Sequence, residues 1–314
     1  MFESVDRRQA DTAMRLLVQG SWKHRFPNTF FLSAYYRGGM EIYRRFSNEN
    51  RSVNEWIAEL ELPVGSSGAF GLDVQERVKT FFHVRRGYAY SELSPYVRRR
   101  FSGGLNGTVY CDLSSLNYSE GTYFDCRSRR GGIRLEWALT SWMVSTFQCM
   151  LGDNRYRRQA YGFLSGSPYM EQWIALGQSQ KDAFREWSVQ VESARWLFVR
   201  LTVGYENNGS NNYGYGFRRP KMQFLAVKTI AAEWTVSIFW TSQMKRYKDS
   251  LRPILQVYPE SENEENNFVM MDLTRTIAER TSLRVQAGLY RNESPFRDLY
   301  YRKTLYSIGI AHAF

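Results

Sequence analysis

Polar and apolar residues alternate with a period of two along most of the chain, and turn-forming residues separate the runs. Between Trp196 and Glu206, Leu197, Val199, Leu201, Val203 and Tyr205 share one face, while Phe198, Arg200, Thr202 and Gly204 share the other. Ile133, Leu135, Trp137 and Leu139 alternate with Arg134, Glu136 and Ala138. Leu283, Val285, Ala287 and Leu289 alternate with Arg284, Gln286 and Gly288. The same holds for Trp234 to Thr241, for Trp56 to Leu62, and for Leu72 to Val84, where Glu76 on the apolar face is an exception. Helical spacing is hard to find.

Strand length narrows the reading. A soluble sandwich uses strands of ~5–6 residues. Many runs here are about ten residues long, the length that crosses a bilayer as a tilted strand. Most have one polar face carrying charge and one apolar face ending in aromatics. In lipid every backbone group must find a partner inside the protein, so such a sheet has to close on itself. The pattern therefore predicts an all-β, closed, antiparallel transmembrane β-barrel. About ten strands follow Gly132 and about seven precede it; even counts are the rule, so about 16 strands are expected, with about 14 or 18 as alternatives. Residues 1–9 form an N-terminal periplasmic segment in this reading, and 10–314 the barrel.

The connections follow the same logic. Short ones are expected at Ser141-Trp142, Gly166 to Pro168, Ser193-Ala194, Ala231-Ala232 and Ala278 to Arg280. Longer polar ones are expected at Gly152 to Arg155, Gln178 to Lys181, Asn207 to Asn212, Lys248 to Asn266 and Asn292 to Asp298. Alternation of short periplasmic turns with longer external loops orients the chain, with the Asn- and Glu-rich loops outside. Trp22, Trp137, Trp142, Trp187, Trp196 and Trp234 fall near strand ends, as interfacial belts require.

Composition excludes several classes. The chain has 314 residues, 43% hydrophobic and 16% aromatic, and its mean hydropathy is −0.50. No apolar run reaches the ~18 residues of a membrane helix. The aromatic content rules out a disordered basic tail, and no signal-peptide apolar region is visible at the start. The formal charge is +11, and of 42 basic residues 8 are Lys and 34 are Arg. The arginines are spread along the whole chain rather than along one stripe, which argues against nucleic acid and toward an anionic solute, lipid or lipopolysaccharide.

The polar faces carry the candidate chemistry. Parity points Glu59, Glu61, Asp73, Arg77, Lys79, Arg134, Glu136, Arg200 and Arg284 into the lumen. Arg excess there would attract anions through an aqueous pore, whereas ladders of Arg and carboxylate would stiffen a wall that conducts little. His24, His83 and His312 sit in no hydrolase motif, so no enzyme is expected. No cofactor and no metal site is expected, since Cys111, Cys126 and Cys149 have no metal spacing. A turn centred on Tyr118-Ser119 would set Cys111 opposite Cys126, close enough for a disulfide; two unpaired thiols are the alternative.

The chain ends Ser307-Ile308-Gly309-Ile310-Ala311-His312-Ala313-Phe314. This resembles the terminal strand of bacterial outer-membrane β-barrels, with Ser307, Gly309 and Phe314 matching and His312 standing where an aromatic is usual. The resemblance implies the outer membrane of a Gram-negative-type bacterium and recognition by the barrel-assembly machinery. Residues Arg291 to Ser294 and Tyr300 to Arg302, leading into that strand, are faintly similar to the barrels of surface-lipoprotein assembly modulators and polysaccharide exporters, whose helical-repeat domain is absent here. Two functions are expected: a channel or export pore favouring anionic solutes, or a non-conducting subunit or anchor of an envelope complex serving secretion, motility or lipoprotein delivery.

Overall fold

The computed structural model describes residues 11–27, 30–85, 87–165, 171–249, 266–292 and 302–313. Sixteen strands form one sheet. They are β1 (Ala13–Arg25), β2 (Phe31–Tyr43), β3 (Arg51–Val64), β4 (Gly68–Phe81), β5 (Tyr88–Arg100), β6 (Leu105–Tyr118), β7 (Cys126–Thr140) and β8 (Met143–Ser165). Then follow β9 (Glu171–Ala194), β10 (Phe198–Ser210), β11 (Phe217–Ala231), β12 (Trp234–Gln243), β13 (Arg246–Tyr247), β14 (Asn266–Ala278), β15 (Thr281–Asn292) and β16 (Arg302–His312). The order is sequential from β1 to β16, except that the two-residue β13 pairs with β11 beside β12. Three short 3-10 turns are the only helical elements described, and no described helix is long and apolar enough to cross a membrane. The strand count matches the expectation of about 16.

Period two sets the faces. In β3 and β4 the register runs from Val64↔Gly68 to Arg51↔Phe81. It puts Glu55, Glu59, Asp73, Arg77 and Lys79 on one face, and Trp56, Phe70, Val74 and Val78 on the other, where they are exposed. Glu76 lies on that apolar face opposite Trp56, and accepts a hydrogen bond from Ser91 (3.4 Å). The turn between these strands contains Gly65 at φ +65°, a left-handed conformation that a side chain resists.

Burial is inverted relative to a water-soluble fold. Among the described residues the well-buried side chains are mostly polar, including Glu55, Lys79, Gln180, Asp182, Glu206, Asn208 and Asp272. The exposed ones include Trp22, Trp56, Trp137, Trp142, Trp187 and Trp196, with Leu, Ile and Val at alternate strand positions between them. A water-soluble monomer rarely exposes so continuous an apolar face; a sheet in lipid requires one.

Two expectations are corrected. Gly152 to Arg155 and Gln178 to Lys181 are not connections; they lie within β8 (23 residues) and β9 (24 residues). Their turn-forming residues are absorbed by side-chain bonds and a local kink: Asn154 accepts from Arg130 (3.2 Å), and Gly177 takes φ +67° within β9. At ~3.3 Å per residue β8 is ~75 Å long, well beyond what a bilayer needs. The expected connections at Ser141-Trp142, Ala231-Ala232 and Ala278 to Arg280 fall at strand junctions, the middle one displaced by about a residue. Those at Gly166 to Pro168, and nearly all of Lys248 to Asn266 and Asn292 to Asp298, lie outside the described residues, as do the expected N-terminal segment and Phe314.

The disulfide is the other correction. None of Cys111, Cys126 and Cys149 is joined in a disulfide; Cys111 is exposed and Cys126 buried. Strand β6 runs on through Tyr118, and the turn occupies residues 119–125, with Gly121 at φ +79° and a 3-10 turn over Thr122–Phe124. Cys126 therefore starts β7 next to the turn, while Cys111 lies seven residues back along β6, on the face shared with the exposed Val109 and Leu113.

Candidate functional site: the polar face

The chain folds as two compact units. The first is Met1–Arg98, Tyr110–Arg130 and Asn154–Gln159; the second is the remainder. The polar face of each is described in turn.

In the first unit, carboxylates on β2 and β3 are shared among neighbours. Glu41 is bound by Arg15 and by Arg51 (2.6 Å). Glu55 takes Arg37 (2.5 Å) and the amide of Gln75 (2.9 Å). Tyr96 donates its hydroxyl to Glu59 (2.9 Å) and Glu61 (3.0 Å), and Glu61 also binds Arg98. Glu59 accepts from Ser33 as well (3.4 Å). The hydroxyl of a buried tyrosine thus bridges two carboxylates two residues apart, and like charges are held together by shared donors.

Farther along β4 the balance changes. Lys79 is 5% exposed, and its ammonium lies 4.7 Å from the Phe81 ring centre. Arg77 precedes it by two residues on the same face. Arg51 pairs with Phe81 across the ladder, which makes it the diagonal neighbour of Lys79. Arg77 has its Nε buried without a hydrogen-bond partner. It has no ion pair among the described residues, while Glu55 opposite it is engaged by Arg37 and Glu41 by Arg15 and Arg51. Asp73 sits opposite Glu59.

The second unit is more evenly paired. Glu206 (4% exposed side chain) binds Arg219 and Lys221 (2.7 Å), and Lys221 also reaches Glu186 (3.2 Å). Arg200 donates to Glu192 (2.7 Å) and lies 5.5 Å from the Phe198 ring. Arg284 binds Asp272, which also accepts from Gln286 (2.8 Å) and Thr274 (2.9 Å). Ser307 donates to Gln286 (3.1 Å), and Gly309 pairs with Arg284. These two residues of the terminal signal therefore border an ion-pair network. A Cβ on Gly309 would meet nothing within 4 Å, so the glycine is not required by local sterics. Glu136 accepts from Asn106 (3.4 Å), and Arg134 lies two residues away on the same polar face.

A second buried network lies where β9 and β10 meet. Gln180 donates to Asp182 (3.0 Å), Asn208 to Asp182 (3.0 Å), and Asn212 to Gln180 (2.7 Å). Lys248 closes it on the Asn208 carbonyl (3.1 Å). Sequence alone pointed to none of these, nor to Glu206, Arg219 or Glu55. Parity would have found Glu206, which continues the polar series Arg200, Thr202, Gly204.

The histidines stand apart from these networks. His24 stacks on Trp22 and meets Phe26 edge-on, His83 is in the β4–β5 connection, and His312 is 3.0 Å from the Thr281 hydroxyl. No group of metal-ligating side chains occurs among the described residues.

No family model matches the chain, and no curated protein matches it. Similar solved structures include the in-vitro folded OmpT, an outer membrane protein of Vibrio cholerae (8% identity, TM-score 0.42, covering 98% of this chain and 99% of that one). Others are the siderophore receptor PirA from Pseudomonas aeruginosa (8%, 0.39, 96% and 71%) and the ferric yersiniabactin uptake receptor FyuA from Yersinia pestis (8%, 0.41, 96% and 62%). Similarity at this level says nothing of activity or ligand. The exposed apolar face, the strand lengths and the sequential antiparallel order are those of an outer-membrane-type β-barrel protein.

Proposed function

We propose that the chain closes as a barrel in the outer membrane and forms a channel that favours anionic solutes. The observation that carries this reading is Arg77 on the polar face of β4, which has no ion pair among the described residues and whose Nε is buried without a hydrogen-bond partner. Excess positive charge on low-dielectric walls concentrates anions. Arg200 and Arg284 are each matched by a carboxylate and contribute little field of their own. The test is conductance of the purified protein in planar bilayers under a salt gradient. Stable steps with anion-selective reversal potentials are expected; inserted protein without steps overturns the reading.

A second reading has its own observation. Strands β8 and β9 are long enough to rise far beyond the bilayer, and the Gln180–Asp182–Asn208–Asn212 network braces β9 and β10 there. That suits a non-conducting anchor presenting a rigid projection to an envelope partner. Cross-linking from exposed Gln178 in intact cells tests it: a defined adduct supports the anchor, and monomer alone overturns it.

A further inference from the structure

The outward face of β9, β10 and β11 changes character in ordered rows. Val191, Leu201 and Phe224 form one row, and Val189, Val203 and Met222 the next. Trp187, Tyr205 and Pro220 follow, with the Trp187 and Tyr205 rings stacked at 6.3 Å. The row after that is Arg185, Asn207 and Arg218, extended by Arg246, which pairs with Arg218 on β13. The apolar band thus ends in an aromatic pair, and a row of three arginines lies one step beyond it. It lies at the end of β10 next to the longer connection of residues 211–216, the external side by the alternation of turns.

The row is built to receive an anion. Arg185, Arg218 and Arg246 are exposed, and among the described residues none has an ion-pair partner; Arg246 donates only to the Met244 sulfur, at 3.4 Å. The nearby carboxylates Glu186 and Glu206 point to the opposite face by parity and bind Lys221 there. Asn207 stands between Arg185 and Arg218, and its Oδ1 is buried with no hydrogen-bond partner. Adjacent strands are ~4.8 Å apart, so Arg185 and Arg218 straddle Asn207 at ~10 Å, a span two guanidinium side chains can close. Guanidinium forks match phosphate oxygens two at a time. The amide N–H groups of Asn207 between them can donate to a hydroxyl.

We propose that Arg185, Asn207, Arg218 and Arg246 form a binding site for the phosphorylated sugar headgroup of an outer-leaflet glycolipid, the arginines holding phosphate and Asn207 a sugar hydroxyl. The proposal rests on the membrane reading above and is independent of conductance.

The test uses the full chain refolded into phosphatidylcholine vesicles doped with bisphosphorylated lipid A, or with the same lipid stripped of phosphate. Glycolipid retained on the extracted protein is measured by native mass spectrometry. Wild-type protein should retain the phosphorylated form about tenfold more than the stripped form. The R185Q/R218Q/R246Q variant should lose that preference while floating with vesicles and migrating as folded protein, as wild type does. N207A should lower retention of both lipids, because it removes the hydroxyl contact and leaves the forks. A triple variant that keeps the preference, or wild type that does not distinguish the two lipids, overturns the site. Wild type that fails to float with vesicles overturns the membrane reading, and the site with it.

Discussion

On β10 and β11, Glu206 is almost wholly enclosed, with Arg219 and Lys221 closed on it and Glu186 completing a balanced group of four. On β3 and β4, Arg77 has no ion pair among the described residues, and Glu55 opposite it is bound by Arg37. Both clusters are built from the same residue types on the same kind of face. One spends its charge on strand pairing; the other leaves positive charge over. Removing a partner from the first should therefore cost stability, and removing a cation from the second should change ion behaviour.

The largest expected effect is on Glu206. E206Q leaves Arg219 and Lys221 together with no carboxylate between them, and loss of one member of a buried pair costs about 3 kcal/mol or more. Urea unfolding of protein refolded in vesicles should show the midpoint fall. A change under about 1 kcal/mol would mean that water reaches the group freely, and the contrast between the clusters would collapse.

The R77Q variant should behave in the opposite way. Arg77 has no ion pair among the described residues to lose, so unfolding should shift by less than about 1 kcal/mol. The reversal potential in a salt gradient should move toward non-selectivity. If the same shift came from R200Q, where the charge is already matched by Glu192, the assignment of selectivity to β4 would fail.

Arg284 lies between these extremes. Its side chain is half exposed, while Asp272 is buried and keeps Gln286 and Thr274 as donors. R284Q should cost about 1 kcal/mol, because the carboxylate stays satisfied when the guanidinium is removed. Equal losses from R284Q and E206Q would show that exposure does not rank these pairs.

How much of this was legible in the sequence depends on which quantity parity fixes. Alternation assigns a face without knowledge of register, so Glu59, Arg77, Arg200 and Arg284 were placed on the polar side from their neighbours alone. Ion-pair partners need register, and register needs the turn. A connection set at Asn207 to Asn212 leaves Glu206 beside the loop, whereas β10 runs on through Ser210 and brings Glu206 opposite Arg219. The cysteines failed for the same reason, since the turn lies at 119–125 rather than at Tyr118-Ser119. Gly152, Asp153 and Asn154 form a turn signature that tertiary bonding overrode, which hid the length of β8. The arginine row beyond Trp187 and Tyr205 needed the register of four strands at once, so no single segment could show it.

The smallest effect lies outside the strands and tests whether charge–backbone bonding at the rim follows the same ranking by exposure. Asp11 precedes β1 and receives the backbone N–H groups of Thr12 (2.7 Å), Arg45 (3.1 Å) and Phe46 (3.0 Å), tying the start of β1 to the β2–β3 connection. Desolvation pushes its carboxyl up, but the N–H donors of Phe46, Arg45 and Thr12 and the charge of Arg45 together hold it below its ordinary value of 3.8. A depressed value in the folded state means that the bonded carboxylate stabilises the fold above pH 3.8 and loses that contribution as pH falls through the lower, folded-state value. The stability gap between wild type and D11N should therefore be constant at neutral pH and close in acid. Because Asp11 is solvated, the gap should be the smallest of the four and should shrink in high salt. A gap as large as that of E206Q would show that the rim bonds, rather than the enclosed ion pairs of β10 and β11, hold the sheet together.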